Sequence, residues 1–161
     1  MFSFQNSPPR RWIDDSLGQP VNMISIGNVL AMEAAEDPED NLALQILADA
    51  PAYCYGTNSA NGRTHALWAL MQLRRDDELL PQLAPLRYAC RLWFERHVVP
   101  PIPTELLFMF AYASMRLECI EDVKLSLVLA HRRRLSLSQQ HDLIELLNSI
   151  PDEPTHATPV T

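Results

Sequence analysis

The sequence predicts an all-α fold, a stack of antiparallel helix hairpins over residues 21–150, and three observations indicate it. Apolar residues recur with the helical period of about 3.6 through most of this region. Thirteen prolines against four glycines supply many helix starts and stops. At 161 residues, of which 47% are hydrophobic, the chain is long enough for one domain with a sizeable core.

The first hairpin is predicted from two short helical segments, Ile24–Ala35 and Glu39–Ala50. Asp37 can cap the second segment, and Pro38 suits a first helical position. The next segment, Ala52–Gly62, is rich in turn-forming residues and ends in Asn-Gly. It is predicted to be a loop or a short strand pair, and to hold whatever β-structure the chain has.

The second hairpin begins with a predicted helix at Thr64–Arg74, where apolar residues recur at helical spacing. The acidic run Asp76-Asp77-Glu78 favours the N-terminus of a return helix. Pro81 and Pro85 interrupt that helix, because an interior proline removes a hydrogen bond and clashes one turn back. We therefore expect a short turn over residues 77–83 and a helix over Pro85–His97.

The third hairpin follows the proline-rich run at residues 100–103. Thr104 is the predicted N-cap of a helix at Glu105–Leu117, and a second helix is predicted at Glu121–Arg133. A last helix is predicted to end near Ile150, because Ser136 and Gln139 match a capping box at its start.

The two ends of the chain are predicted to be a flexible arm, residues 1–20, and a disordered tail, residues 151–161. Neither has a sustained apolar period, and both contain prolines. Four apolar residues of the arm are nevertheless able to dock on another surface: Phe2, Phe4, Trp12 and Ile13.

The three hairpins can be placed in register so that an acidic turn precedes Leu42, Leu79 and Val123, at offsets of 37 and 44 residues. The pattern, most visible over Leu106–Ala130, resembles a degenerate tetratricopeptide array. The resemblance covers about residues 24–133 and implies a curved stack whose concave face, lined by the first helix of each pair, binds a partner. A plain helical bundle is the alternative.

An aromatic and methionine-rich face on these first helices is the predicted binding surface. In the register above, Trp68 is equivalent to Tyr112 and Met71 to Met115. Such a face suits an amphipathic helix, since methionine packs adaptably and aromatic rings supply contact area, and we expect it to stay partly exposed. The alternative is that the stripe is core. The predicted partner-binding residues are His65, Trp68, Met71, Phe108, Met109, Tyr112 and Met115.

Composition and motifs narrow the classes of function. The formal net charge of −7 argues against general binding to nucleic acid or to an anionic membrane. The wide spacing of Cys54, Cys90 and Cys119 offers neither a disulfide framework nor a CxxC motif, which favours the cytoplasm. No zinc, phosphate-loop or GxSxG motif occurs, so we predict no catalytic residue, metal or cofactor. The basic run Arg132–Arg134 either offsets a helix dipole or meets an acidic partner or a phosphate.

Two family resemblances lead to different functions. Small, acidic, tetratricopeptide-like proteins resemble the export chaperones of bacterial type III secretion systems, which implies a non-catalytic adaptor or chaperone that binds a helical segment of a partner. Residues 58–70, with Asn-Gly-Arg-Thr-His-Ala, and residues 84–89, with Pro-Leu-Arg-Tyr, are instead similar to plasmid replicase proteins. That alternative implies a replication protein with strands around His65.

Overall fold

The structure, a computed structural model, describes residues 8, 12–13, 30–31, 33–34, 36, 41–49 and 60–151. All regular secondary structure in these residues is helical, which confirms the all-α class. A 3-10 helix at Asp76–Glu78 precedes the third of the α-helices. The α-helices with defined bounds are α1 (Asn41–Asp49), α2 (Ala60–Gln72), α3 (Leu79–Glu95), α4 (Thr104–Arg116), α5 (Ile120–His131) and α6 (Leu137–Ser149).

Several predictions for the N-terminal third and the tail fall outside the described residues. Of the predicted helix Ile24–Ala35, residues 30, 31, 33 and 34 are described and are helical. Helix α1 lies within the predicted Glu39–Ala50. The remaining predictions outside the described residues concern Phe2, Phe4, Asp37, Pro38, Cys54, residues 52–59 and residues 152–161.

Helix α2 begins four residues before its predicted start at Thr64, so the turn predicted at Asn61-Gly62 is wrong. The Thr64 hydroxyl donates to the carbonyl oxygen of Ala60 at 2.9 Å, which spans the first helical turn. Gly62 is buried within this turn, and its lack of a side chain permits close packing there.

Helix α3 begins at Leu79, so both the turn predicted over residues 77–83 and the helix start at Pro85 are wrong. Pro81 occupies the third helical position, where the backbone N–H has no partner within the helix anyway. Pro85 lies inside the helix and removes one hydrogen bond to the carbonyl oxygen of Pro81. Both prolines are exposed, so solvent can replace the lost bond.

Three helices end on a non-glycine residue in the left-handed region, which explains how a glycine-poor chain ends its helices. These residues are Arg74, His97 and Glu118, with φ of 58°, 54° and 58°. After α2, the N–H of Arg75 donates to the carbonyl oxygen of Leu70 at 2.9 Å, as in a Schellman motif. The same hydrogen-bond pattern closes α3 and α4.

Helices α2 and α4 share their bounds at a constant spacing. Each has 13 residues, and α4 begins and ends 44 residues after α2. The left-handed residue that follows each helix, at positions 74 and 118, keeps this spacing. The next helical element begins at position 76 in one case and at 120 in the other.

The caps of the C-terminal helices differ from one another. The N-cap of α4 is Pro103, which makes no side-chain cap bond, so the prediction for Thr104 is wrong. Extended Pro103 turns the chain into the helix, and Thr104 is the buried first helical residue. The capping box of α6 is confirmed: the N–H of Gln139 donates to Ser136 Oγ at 3.1 Å, and the N–H of Ser136 donates to Gln139 Oε1 at 3.0 Å.

Helix α4 is the centre of the core. Its residues from Thr104 to Met115 are all buried, and α2, α3, α5 and α6 all pack against it. A helix this apolar on every side must be surrounded by other elements. Trp12 and Ile13, from the predicted arm, also lie in the core, which confirms that these two residues dock.

Candidate functional site

The residues predicted to form a partner-binding face lie in the core, and the partial exposure expected of them is wrong. Trp68, the most exposed of the set, is 5% exposed. The face is covered because α2 packs on α4 and on α1, while α6 and Trp12 contact α4 from other sides. Binding at this face stays a prediction, and it requires the helices to separate. The buried residues are His65, Trp68, Met71, Phe108, Met109, Tyr112 and Met115.

Two of these aromatic residues do come together, around a third ring from the N-terminal part of the chain. The ring centroid of Trp12 lies 5.5 Å from that of Phe108 and 5.9 Å from that of Tyr112. Trp12 Nε1 donates to Asp142 Oδ2 at 2.9 Å, which ties residue 12 to α6. Burial raises the pKa of the Tyr112 phenol. These aromatic side chains therefore contact each other within one molecule.

Burial holds two titratable core groups, His65 and Cys90, in their neutral forms. Burial lowers the pKa of His65 to about 4, so its imidazole is neutral at pH 7. Burial, and then the charge of Asp122, raise the pKa of the Cys90 thiol to about 12, so it is not a thiolate nucleophile.

Among the described residues, no group of three or more His, Cys, Asp or Glu side chains is placed to hold a metal ion. Nor is any described helix both long and apolar enough to span a membrane.

A groove between α5 and α6, here named the C-terminal groove, has the geometry of a binding surface. It consists of two adjoining pockets, of about 370 and 410 Å³, that share His131 and Leu147. Each helix contributes positions i, i+3, i+4 and i+7, so one continuous face of each lines the groove. The lining residues are Lys124, Leu127, Val128, His131, Arg132 and Arg133, then Leu135, Gln140, Leu143, Ile144, Leu147 and Ile150.

The groove has a buried floor and exposed apolar walls. Leu127 and Leu143 are buried. Val128, Ile144 and Leu147 are 41%, 55% and 49% exposed, which is high for large apolar side chains that share one concave surface. The stretch of α5 that lines the groove spans about 10 Å at 1.5 Å per residue, enough to contact about two turns of another helix.

Basic residues at the end of α5 border the groove, and contacts within the protein hold two of them in place. The guanidinium carbon of Arg132 lies 4.8 Å from the ring centroid of Phe94. Arg133 Nη1 donates to the carbonyl oxygen of Ile102. Burial lowers the pKa of Arg133. The exposed Arg134 does not line the groove.

Sequence reasoning singled out the basic run at residues 132–134 but missed the apolar walls beside it. Helix α6 carried a usable signal, because it has large apolar residues at positions 143, 144, 146 and 147. A helix that buries a single face needs a narrower apolar stripe than this. Leu143 and Leu146 fill the buried face of α6, and the additional apolar residues Ile144 and Leu147 form the exposed wall of the groove.

Family models, curated proteins and solved structures were each compared with the chain, and none of these comparisons gives a match. The functional interpretation therefore depends on the geometry of the chain itself.

Proposed function

We propose that the chain is a cytoplasmic, non-catalytic adaptor or chaperone that binds a helical segment of a partner protein in the C-terminal groove. The observation that carries this proposal is the groove, where exposed apolar walls stand over an apolar floor along two neighbouring helices. An amphipathic helix recognises such a groove with anchors at i, i+3, i+4 and i+7. Covering Val128, Ile144 and Leu147 on binding supplies the hydrophobic driving force.

The same proposal includes a tetratricopeptide-like stack of helix hairpins. Support comes from the constant 44-residue spacing of α2 and α4 and of the turns that follow them. Further support comes from the contacts of α2 with α4 and of α3 with α5, because successive hairpins in a stack pack first helix on first helix and second on second. Because α4 is covered, we place the partner in the C-terminal groove, on helices α5 and α6.

A subunit exported by a type III secretion system is one partner of this kind, because the chain resembles the chaperones of those systems in size, acidity and helical build. The replicase alternative has no supporting observation in the described residues. Among the described residues no strand lies near His65 in the sequence, since His65 lies inside α2, and residues 84–89 lie inside α3.

The proposal is tested by selecting helices on the purified protein. A display library of amphipathic peptides about 14 residues long, roughly 21 Å as helices, carries apolar anchors on one face and Glu, Lys or Gln on the other. Enriched peptides are then titrated by fluorescence anisotropy against wild type and Leu147→Asp. We expect this substitution to weaken binding about tenfold or more, because it buries a charge in the contact.

Leu80→Asp is the matched control, since Leu80 is 47% exposed on α3 and Leu147 is 49% exposed. Both variants should keep the wild-type circular dichroism spectrum, and Leu80→Asp should keep the wild-type affinity. A library without enriched peptides, or peptides that bind Leu147→Asp as tightly as wild type, overturns the proposal.

A further inference from the structure

We infer that the helix bound in the C-terminal groove carries acidic residues beside its apolar anchors. This inference rests on the proposed function and names the chemistry of the partner. The chain has 20 acidic and 13 basic residues. Lys124, Arg132 and Arg133 line the groove, and no Asp or Glu does. The groove is thus a basic, apolar site on an acidic protein.

The ion pairs of the described acidic residues on α5 and α6 do not involve Arg132 or Arg133, and the carboxylate whose charge acts on Arg133 belongs to the buried Glu105 of α4. Asp122 is buried and forms an ion pair with Arg87, whose Nε donates to Asp122 Oδ2 at 2.6 Å. Asp142 is buried at the contact with Trp12. Glu145 Oε1 lies 2.8 Å from His141 Nε2 on its own helix, and Glu145 does not line the groove. Glu121 is exposed at the start of α5, about 15 Å along the helix axis from the end that carries Arg132 and Arg133.

The arginines are arranged to receive a partner's carboxylates. Arg132 is stacked on Phe94, and Arg133 is anchored by the Ile102 carbonyl. Both contacts restrict side chains that otherwise lose much rotamer freedom on binding. A guanidinium held in this way offers its remaining N–H donors to a carboxylate in a planar fork.

An acidic peptide explains the site better than a nucleic acid does. Leu127, Val128, Ile144 and Leu147 make the groove apolar between its basic residues, and a phosphate backbone cannot cover them. The net charge of −7 also repels a polyanion over distances longer than the groove, while a short helix brings few charges beyond it. A helical segment with acidic residues beside its apolar anchors covers the apolar side chains and also meets the basic residues of the groove.

The peptide selection described above tests the inference through the charges of the enriched sequences. Wild type should enrich Glu over Lys at positions flanking the anchors. Arg132→Glu should weaken a Glu-flanked peptide about fivefold or more, because it replaces an attraction with a repulsion. Binding of the same peptide should weaken between low and high salt, whereas a Gln-flanked peptide with the same anchors should respond little to either change.

Arg74→Glu is the matched control: it also shifts the net charge by two, at an exposed position that does not line the groove. It should leave the affinity of the Glu-flanked peptide close to that of wild type. Equal affinity of Glu- and Gln-flanked peptides overturns the inference and leaves the proposed function standing. A labelled single-stranded oligonucleotide that displaces the peptide also overturns it. Peptides insensitive to Leu147→Asp overturn the proposed function instead.

Discussion

Burial of His65 predicts that acid destabilises the protein in a defined pH window. The imidazole is fully buried, and burial lowers its pKa to about 4, against about 6.5 for an exposed histidine. Between these values the unfolded chain binds a proton that the native protein does not. The free energy of unfolding therefore falls as the pH drops from about 6.5 to 4, and the full gap amounts to about 3 kcal/mol at about 1.4 kcal/mol per pH unit.

Urea denaturation of wild type and His65→Gln at pH 7 and pH 4.5 measures this contribution. At pH 4.5 we expect His65 to lower the free energy of unfolding by about 2.5 kcal/mol. This is less than the full gap because the native imidazole begins to protonate near that pH. Glutamine stays neutral and keeps both a donor and an acceptor. Carboxylates titrate in both proteins, so the difference between the two pH dependences isolates the histidine.

If wild type and His65→Gln lose the same stability between pH 7 and pH 4.5, the imidazole is reached by water or protonated in the native protein. The reasoning from burial is then refuted.

Three further predictions concern the core and the last helix. Tyr112→Ala should lower the free energy of unfolding by about 3 to 5 kcal/mol in urea, because it empties a buried aromatic position; a loss under 1 kcal/mol contradicts the core placement. Trp12→Phe should cost about 1.5 to 3 kcal/mol, because the ring contacts remain while a hydrogen bond to a buried carboxylate is lost. Full stability of this variant would exclude residue 12 from the core. Ser136→Ala should lower the free energy of unfolding, measured by thermal denaturation, by about 1 kcal/mol because it removes the N-cap of α6. The control Ser138→Ala, at an exposed position, should lower it by less than about 0.5 kcal/mol.

Local patterns in the sequence predict the C-terminal half well. Helices α4 and α5 agree with their predicted bounds to within two residues, because the apolar period and the turn between them act over short distances. The capping box of α6 is also a local feature, formed by two side chains three residues apart. These parts of the fold need no knowledge of their neighbours.

Predictions failed where a tertiary contact decides the outcome. Pro85 stays inside α3 because it lies on the exposed face of the helix. The buried residues Leu83 and Leu86 pack the opposite face against the core, and this packing compensates for the lost hydrogen bond. The period of α4 shows an apolar helix but not what covers each of its sides. Trp12 covers one side from 96 residues away in the sequence, next to Phe108.

Helix α6 helps to explain both why the predicted binding face is buried and why another apolar surface is exposed. Its inner residues, Leu143 and Leu146, are buried, and the helix contacts both α4 and α5. By packing there it helps to cover α4. Its outer residues, Ile144 and Leu147, then stand unburied beside Val128 of α5. A helix that packs over α4 must itself present a new surface, and in α6 that surface is apolar where solvation alone would favour polar residues. Under the proposed function, a partner helix packs against this exposed apolar wall and continues the packing of α5 and α6.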